Sequence, residues 1–177
     1  MRELTTERLI MRDFRPQDWH GLHAYLSQAE TVRFEPYEVF NEEESRQEAL
    51  RRSQDANFRA VCLRDSGELI GNLYCAGQDC GTWEIGYVFN RDYWKQGYAV
   101  ESAAALLEEL FRVGAHRITA MCNPLNENSW RLLERLHMRR EGYLKSNVYF
   151  KRDEAGRPIW CDTYLYAVLA AEWQSRP

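Results

Sequence analysis

Residues 82–111 read "TWEIGYVFNRDYWKQGYAVESAAALLEELF" and place an apolar run, a short loop and a helix-like run one after another. Alternate residues of the first run fall on opposite faces of an extended chain, which is typical of a strand. From about Gly97 to Val113, small and apolar residues recur at helical spacing, and Gly114 stands where a helix-terminating glycine is expected. The stretch therefore predicts a strand that leads through the loop "WKQGYA", residues 94–99, into the N-terminus of a helix.

The small residues Gly97 and Ala99 lie at the predicted start of this helix. Backbone N–H groups in the first turn have no partner inside the helix and lie at the positive end of its dipole. With no bulky side chain over them, these groups suit a phosphate or pyrophosphate. The loop is not a Walker motif, because no "GK[ST]" follows it, and it lacks the G-x-G-x-x-G pattern. The alternative interpretation is that Gly97 simply permits the turn.

The whole chain, residues 1–177, is predicted to form one domain, because it has no internal repeat, linker or low-complexity segment. Helices are expected to open at Pro16, at Asn41 and near Asn128. The predicted order is β-α-α-β-β-β-α-β-α-β-β, which indicates a mixed α/β sheet. The closing strand "TYLYAVL" is apolar on both faces, and an edge strand of that kind predicts a homodimer.

Composition excludes several classes of protein. The formal net charge is −4, which disfavours nucleic acid as a partner. No apolar run approaches the roughly 18 residues of a membrane helix, and the charged N-terminal stretch does not resemble a signal peptide, so we expect a cytoplasmic protein. The five cysteines and four histidines show no metal-ligand spacing, so no metal is expected.

Four stretches of the chain carry a resemblance to a known family. "NRDYWKQGYAVESAAALL" resembles motif A of the GNAT superfamily of acetyl-CoA-dependent N-acetyltransferases. "NPLNENSWRLLERLHMRREGYLK" resembles the N-x-x-S region of its RimJ/RimL-like branch, the ribosomal-protein-alanine N-acetyltransferases. "LTTERLIMRDFRPQD" and "CDTYLYAVLAAEW" resemble the first and last strands of that branch. The matches follow one another in the expected order over nearly the whole chain.

This resemblance implies a GNAT fold of the α/β (α+β) class, with a mixed, mostly antiparallel sheet of six to seven strands flanked by about four helices. It also implies acetyl-CoA as the co-substrate. Lys95 is included among the binding residues because its positive charge lies at the mouth of the loop. The residues expected to bind acetyl-CoA are Tyr87, Val88, Phe89, Lys95, Gln96, Gly97, Tyr98, Ala99, Val100, Asn126 and Ser129.

The sequence departs from the family pattern at three places. Trp94 occupies the position of a glutamine or arginine in the loop. His137 and Met138 replace the usual "GF" after the short helix, and Leu133 stands where other GNAT branches carry a tyrosine acid. The general acid is therefore left open between Ser129 and the tyrosines of the closing hairpin, Tyr143 and Tyr149.

Acyl transfer from a thioester to an amine requires a proton acceptor, because a primary amine has a pKa of roughly 10. Glu84 is the candidate base, since it shares a strand face with Gly86 and Val88 just before the loop. The alternative is an ordinary strand glutamate, paired or solvated. Ser129 is the candidate for relaying a proton to the departing thiolate, and the alternative for Asn126 and Ser129 is a pair of helix caps.

The predicted function is acetyl-CoA-dependent N-acetyl transfer to a primary amine, by direct attack in a ternary complex. The amine could belong to a protein N-terminus, a polyamine or an antibiotic. The aromatic residues considered for the acceptor site are Trp19, Phe34, Tyr37, Trp83 and Trp160. The alternative function is an acyl-CoA-binding sensor that has kept the fold and lost most of its turnover.

Overall fold

The computed structural model describes residues 2–176, which form eight strands and five helices. The strands are β1 (Leu4–Thr5), β2 (Leu9–Asp13), β3 (Phe58–Leu63), β4 (Leu69–Gly77), β5 (Thr82–Phe89), β6 (Arg117–Cys122), β7 (Arg139–Arg152) and β8 (Pro158–Leu169). The helices are α1 (Trp19–Leu26), α2 (Glu42–Ser53), α3 (Tyr98–Arg112), α4 (Glu127–Arg135) and α5 (Ala170–Gln174). In this described part of the chain, no helix is long and apolar enough to cross a membrane.

The predicted helix starts are confirmed. Pro16 opens a short 3₁₀ turn that runs directly into α1. Asn41 caps α2: its side chain accepts the backbone N–H of Glu44, while the Glu44 carboxylate accepts the N–H of Asn41. The long helix α3 is bounded by Gly97 and Val113, as the periodicity predicts.

All eight strands belong to one sheet, in the order β1-β2-β3-β4-β5-β6-β8-β7. Within residues 2–176 the only parallel neighbours are β5 and β6, so the sheet is mixed and mostly antiparallel, as predicted. The strand and helix counts are one or two above the expected numbers, in part because the C-terminal segment adds the short helix α5.

The position of the closing strand corrects the sequence analysis. β8 was expected at the edge of the sheet, but it lies between β6 and β7, and β7 forms the edge. Its apolar character on both faces follows from this interior position, so it is not evidence of a second subunit. The homodimer stays a prediction, and its remaining support is the exposed apolar side chains of the β7–β8 hairpin, among them Tyr143, Phe150, Ile159 and Trp160.

Two hydrophobic cores lie on the two faces of the sheet. Leu106 and Leu110 of α3 pack with strand residues such as Ile85 in one core. Leu22 and Leu26 of α1 belong to the other core, together with Val88 of β5. Consecutive residues of β5 therefore serve opposite cores, which confirms the alternation predicted for residues 82–89.

The turn after α4 explains one departure from the family pattern. His137 adopts φ 56°, in the left-handed region that favours glycine, which is the residue the family pattern has there. Met138 then enters the core, where it is 3% exposed. The backbone turn is thus compatible with the sequence "HM".

We expect Leu106→Ala to lower the free energy of unfolding by about 2–5 kcal/mol, because the side chain is 1% exposed and its removal leaves a cavity under α3. Leu50→Ala is the matched control, since Leu50 lies on helix α2 and is 49% exposed. Urea denaturation of both variants measures the effect. Equal losses in the two variants would contradict the packing of α3 on the sheet.

Candidate active site

The two parallel strands, β5 and β6, separate at the centre of the sheet. The register of β5 with β6 ends at Ile85↔Ala120, whereas β5 stays paired with β4 as far as Phe89. Asn90 donates its backbone N–H to the carbonyl oxygen of Ile70 at 2.9 Å. Hydrogen-bonding direction alternates along a strand, so Tyr87 and Phe89 turn their backbone polar groups away from β4, toward the gap.

The loop before α3 is shaped by two residues with positive φ. Lys95 has φ 62° and Gly97, the N-cap of α3, has φ 86°. A Cβ atom at position 97 would lie 3.2 Å from Nη2 of Arg8, a close contact that a small shift of the Arg8 side chain would relieve, so the positive φ is the main reason for glycine here. The guanidinium of Arg8 donates to the carbonyl oxygen of Gln96 at 3.0 Å, and the Gln96 side chain donates to the backbone of Asp92 at 3.1 Å.

Glu101 connects this loop to the N-terminal strands. Its carboxylate accepts hydrogen bonds from the Thr6 hydroxyl group at 2.6 Å, and from the backbone N–H and the side chain of Arg8 at 3.0 and 2.7 Å. Burial acts to raise the pKa of Glu101, but the hydrogen bonds from Thr6 and Arg8 outweigh it and lower the pKa. Glu101 therefore has a structural role and holds the first turn of α3 against the turn between β1 and β2.

A first cavity, of about 440 Å³, lies between the end of β5, the start of α3 and helix α4. We call it the loop cavity. The basic residues that line it are Lys95, Arg131 and Arg135. Arg131 forms an ion pair with Glu127 at 2.9 Å. The loop cavity thus combines a helix N-terminus with positively charged side chains, which suits a phosphate-bearing ligand.

A second cavity, of about 420 Å³, lies where β5 and β6 have separated and extends toward the β7–β8 hairpin. We call it the hairpin cavity. Its lining includes the aromatic side chain of Phe34 and the carboxyl groups of Glu35 and Asp162. Among the described residues, no lysine or arginine lines it. The two cavities therefore differ in charge: one is basic and the other is acidic.

Four residues line both cavities: Glu35, Tyr87, Asn126 and Ser129. Asn126 caps α4 through its side-chain oxygen, which accepts the backbone N–H of Ser129 at 3.2 Å. The hydroxyl groups of Tyr87 and Ser129 are 2.9 Å apart. These four residues form the boundary at which ligands in the two cavities would meet.

The boundary and the neighbouring hairpin cavity contain groups that stay protonated at neutral pH. Burial raises the pKa of the Tyr87 hydroxyl group, and the hydrogen bond with Ser129 only partly offsets this effect. Burial also raises the pKa of the Cys122 thiol, to about 11, although Ser129 acts in the opposite direction. Because the nucleophilic form of cysteine is the thiolate, Cys122 is poorly suited to covalent catalysis.

Glu35 is a residue of the boundary that sequence analysis missed. It lies in the connection between α1 and α2, and burial raises its pKa to about 7, against the opposing effects of Arg52 and Tyr37. No pattern in the segment "TVRFEPYEVF" marks it, because its surroundings come from β5 and α2. Tyr87 was predicted as a binding residue, but the contact of its hydroxyl group with Ser129, which joins β5 to α4, was not predicted.

The predicted binding residues come together with one exception. Ten of them line the loop cavity: Tyr87, Val88, Phe89, Lys95, Gly97, Tyr98, Ala99, Val100, Asn126 and Ser129. Gln96 lines neither cavity, because its carbonyl oxygen and side chain are engaged with Arg8 and Asp92. Its role in binding stays a prediction, as do the roles of the other ten.

The predicted catalytic and acceptor residues are more scattered. Glu84 is paired with Ala76 and Thr119 near the start of β5 and lines neither cavity, so its role as a base stays a prediction. Tyr143 and Tyr149 lie outside both cavities and are more than a third exposed, and Leu133 is fully buried. Of the five aromatic residues predicted for the acceptor site, Phe34 alone lines the hairpin cavity. The other four line neither cavity: Trp19, Tyr37, Trp83 and Trp160.

Comparisons with known proteins agree with this architecture. The family model described as "Acetyltransferase (GNAT) domain" matches residues 8–139. A Bacillus subtilis protein named uncharacterized N-acetyltransferase YnaD is 38% identical over 175 residues, which cover 96% of this chain and 98% of that protein. A GNAT-family acetyltransferase from Bacillus anthracis has a solved structure that is 36% identical, with a TM-score of 0.87, covering 97% of this chain and 100% of its own.

More distant solved structures share the fold alone. The ribosomal-protein-S5-alanine acetyltransferase from Vibrio fischeri is 20% identical, with a TM-score of 0.75 and full coverage of both chains. At that level of identity the likeness does not extend to the substrate.

We expect Glu101→Gln to lower the free energy of unfolding by about 1 kcal/mol at pH 7, a value reduced for partial exposure of the site. Because the folded protein lowers the pKa of Glu101, this contribution is present above the usual glutamate pKa and is lost as the pH falls through the folded value. Denaturation at pH 7 and pH 3.5 should therefore show a difference that shrinks in acid.

Glu127→Gln is the control for this change. Glu127 also lies in the first turn of a helix, but its side chain is 63% exposed and pairs with a surface arginine. An equal loss of stability in the two variants would show that Glu101 contributes only an ordinary surface ion pair.

Proposed function

Since the chain belongs to the GNAT acetyltransferase family and is an N-acetyltransferase, we propose that it transfers the acetyl group of acetyl-CoA to a primary amine. The amine nitrogen attacks the thioester carbonyl directly, with both substrates bound. The new C–N bond forms as the C–S bond breaks, one proton leaves the amine, and one proton reaches the sulfur. The observation that carries this proposal is the boundary of four residues shared by a basic and an acidic cavity.

The loop cavity fits acetyl-CoA. Backbone N–H groups at the start of α3 and the side chains of Lys95, Arg131 and Arg135 supply positive charge for its phosphates. Tyr87 and Phe89 turn backbone polar groups toward the gap between β5 and β6, where an extended pantetheine chain could hydrogen-bond as a strand does. The glycine at position 97 allows the left-handed backbone at the N-cap of α3 and places no side chain over the N–H groups there.

The hairpin cavity fits a cationic acceptor. Its two carboxyl groups, Glu35 and Asp162, attract an ammonium group, and among the described residues of its lining no lysine or arginine repels one. This charge favours an amine over an acceptor that carries a carboxylate beside its reactive group. Both a protein N-terminal α-amine, as in the RimJ/RimL-like branch, and a small-molecule amine meet this condition.

Tyr87 and Ser129 are the proton donors available to the departing sulfur. Their hydroxyl groups are 2.9 Å apart at the boundary, and burial keeps Tyr87 protonated. A protonated hydroxyl group next to a developing thiolate can donate a proton as the C–S bond breaks. The direct route is favoured over an acetyl-cysteine intermediate, because the pKa of Cys122 is raised to about 11.

The proposed activity is tested by thiol release from acetyl-CoA in the presence of amines. Suitable acceptors are 1,4-diaminobutane and a tetrapeptide with an N-terminal alanine, with acetyl-CoA in water as the blank. We expect release well above the blank with at least one amine, and an acetylated product of the matching mass. Tight binding of acetyl-CoA with no release on a broad panel of amines would favour the sensor.

We expect Gly97→Glu to weaken acetyl-CoA binding severely, because the new carboxylate would lie over the start of α3 and repel the phosphates. The matched control is Gly67→Glu, at a glycine with a similar positive φ of 74° and open space around it, in the β3–β4 turn. Titration calorimetry with acetyl-CoA measures both variants. Near-native affinity in Gly97→Glu would refute the assignment of this loop to the phosphates.

A further inference from the structure

Glu35 is held in place by the core beneath α1. Its backbone N–H donates to the carbonyl oxygen of Val32 at 3.0 Å, and Val32 is 2% exposed. Pro36 follows directly, which restricts the backbone at Glu35. The carboxyl group is therefore positioned by packed neighbours, although the connection between α1 and α2 contains no helix or strand.

Charged and titratable groups face Glu35 from three elements: Arg52 from α2, Tyr87 from β5, and Tyr37 from its own connection. Arg52 is itself buried, and it donates to Glu48 at 2.7 Å and to Asn72 at 2.9 Å. A carboxyl group beside a buried arginine would ordinarily have a low pKa. Here burial dominates and raises the pKa of Glu35 to about 7, the range in which a general base is most effective.

The other carboxyl groups near the site are less suited to accept a proton. Both oxygens of Asp162 are engaged, one with the Tyr143 hydroxyl group and the other with the backbone N–H of Ser146. The hydrogen bond from Tyr143 leads the effects that lower the pKa of Asp162, so its carboxylate is a weak base. Glu84 lines neither cavity, whereas Glu35 lines both.

Resting on the proposed function, we infer that Glu35 is the catalytic base of the transfer. Its carboxylate accepts the proton of the acceptor's ammonium group or of the attacking amine, directly or through one water molecule. A proton taken from an ammonium group passes from Glu35 to solvent. The neutral nitrogen then forms the C–N bond as the C–S bond breaks, and the sulfur takes a proton from the Tyr87–Ser129 hydroxyl pair. The proton that leaves the nitrogen as the amide forms passes by way of Glu35 to this pair and replaces the one it gave up. Asp162 acts beside it as a fixed negative charge that attracts the acceptor.

Glu35→Gln keeps the shape of the side chain and removes the proton acceptor. We expect kcat to fall by about 10²-fold or more at pH 7.5, with the Kd of acetyl-CoA nearly unchanged, using the amine that the unaltered protein acetylates fastest. Glu38→Gln is the control, since Glu38 lies three residues away and its side chain is 74% exposed, where it pairs with Lys151. The control should keep its full kcat.

The pH profile separates a base from a merely structural residue. The unaltered protein should lose activity as the pH falls through about 7, because Glu35 must be ionised to accept a proton. In Glu35→Gln this fall in activity near pH 7 (the acid limb of the profile) should be absent, and the rate should follow the amine's own ionisation, with a pKa of roughly 10. Glu84→Gln should keep the acid limb near pH 7. Loss of the limb in Glu84→Gln and its retention in Glu35→Gln would overturn the inference.

Thermal stability gives a readout that does not depend on turnover. A carboxyl group whose pKa is raised by folding contributes stability at low pH that is lost as the pH rises through the folded value, here about 7. Glu35→Gln should therefore gain Tm over the unaltered protein at pH 8 and gain less at pH 5. A Tm difference independent of pH would contradict the desolvated position of Glu35.

The failure of this inference is distinguishable from failure of the proposed function. Normal kcat and an unchanged pH profile in Glu35→Gln, with the unaltered protein active, would overturn the role of Glu35 alone. Absence of thiol release by the unaltered protein with every amine would overturn both.

Discussion

The register between β5 and β6 stops at Ile85↔Ala120, and the backbone beyond it has no strand on one side. Buried backbone N–H and C=O groups need partners, so such a gap in the middle of a sheet is costly unless something else occupies it. Part of the gap is filled by the protein itself: the indole N–H of Trp94 donates to the carbonyl oxygen of Phe89 at 2.8 Å. The rest opens into the two cavities, and a ligand that hydrogen-bonds like a strand would complete the sheet.

Charge is separated across this gap. The loop cavity carries Lys95, Arg131 and Arg135, while Asp162 lies in the hairpin cavity and Glu35 lies at the boundary between the two. A ligand with phosphates and a ligand with an ammonium group are therefore drawn to opposite sides of the same boundary. In the proposed reaction, this arrangement would orient the two substrates before any contact specific to their reacting atoms, which is the condition for direct transfer between them.

Two residues that line the cavities, Lys95 and Glu35, have locally unfavourable environments that rigid elements support. Lys95 adopts a left-handed conformation that is uncommon for a residue other than glycine, and the neighbouring loop is held by the Arg8–Glu101 interaction. Glu35 is desolvated next to the buried network of Arg52, Glu48 and Asn72. In both places a local cost in stability is offset by well-packed elements outside the site.

The local elements were predictable from the sequence because short-range rules govern them. The cap at Asn41, the proline at position 16, the alternation over residues 82–89 and the helix ending before Gly114 depend on neighbours a few residues away. The resemblance to the family added acetyl-CoA as the ligand expected at the loop of residues 94–99.

Contacts between residues that are distant along the chain could not be predicted in this way. Whether β8 lies at an edge depends on which strand pairs with its second side, and β7 does so through a hairpin that local apolarity does not reveal. The raised pKa of Glu35 results from its burial in the folded protein, against the opposing effect of Arg52, which lies on α2, 17 positions away along the chain. Desolvation is a property of the folded surroundings of a group, so the chain segment around Glu35 carries no trace of it.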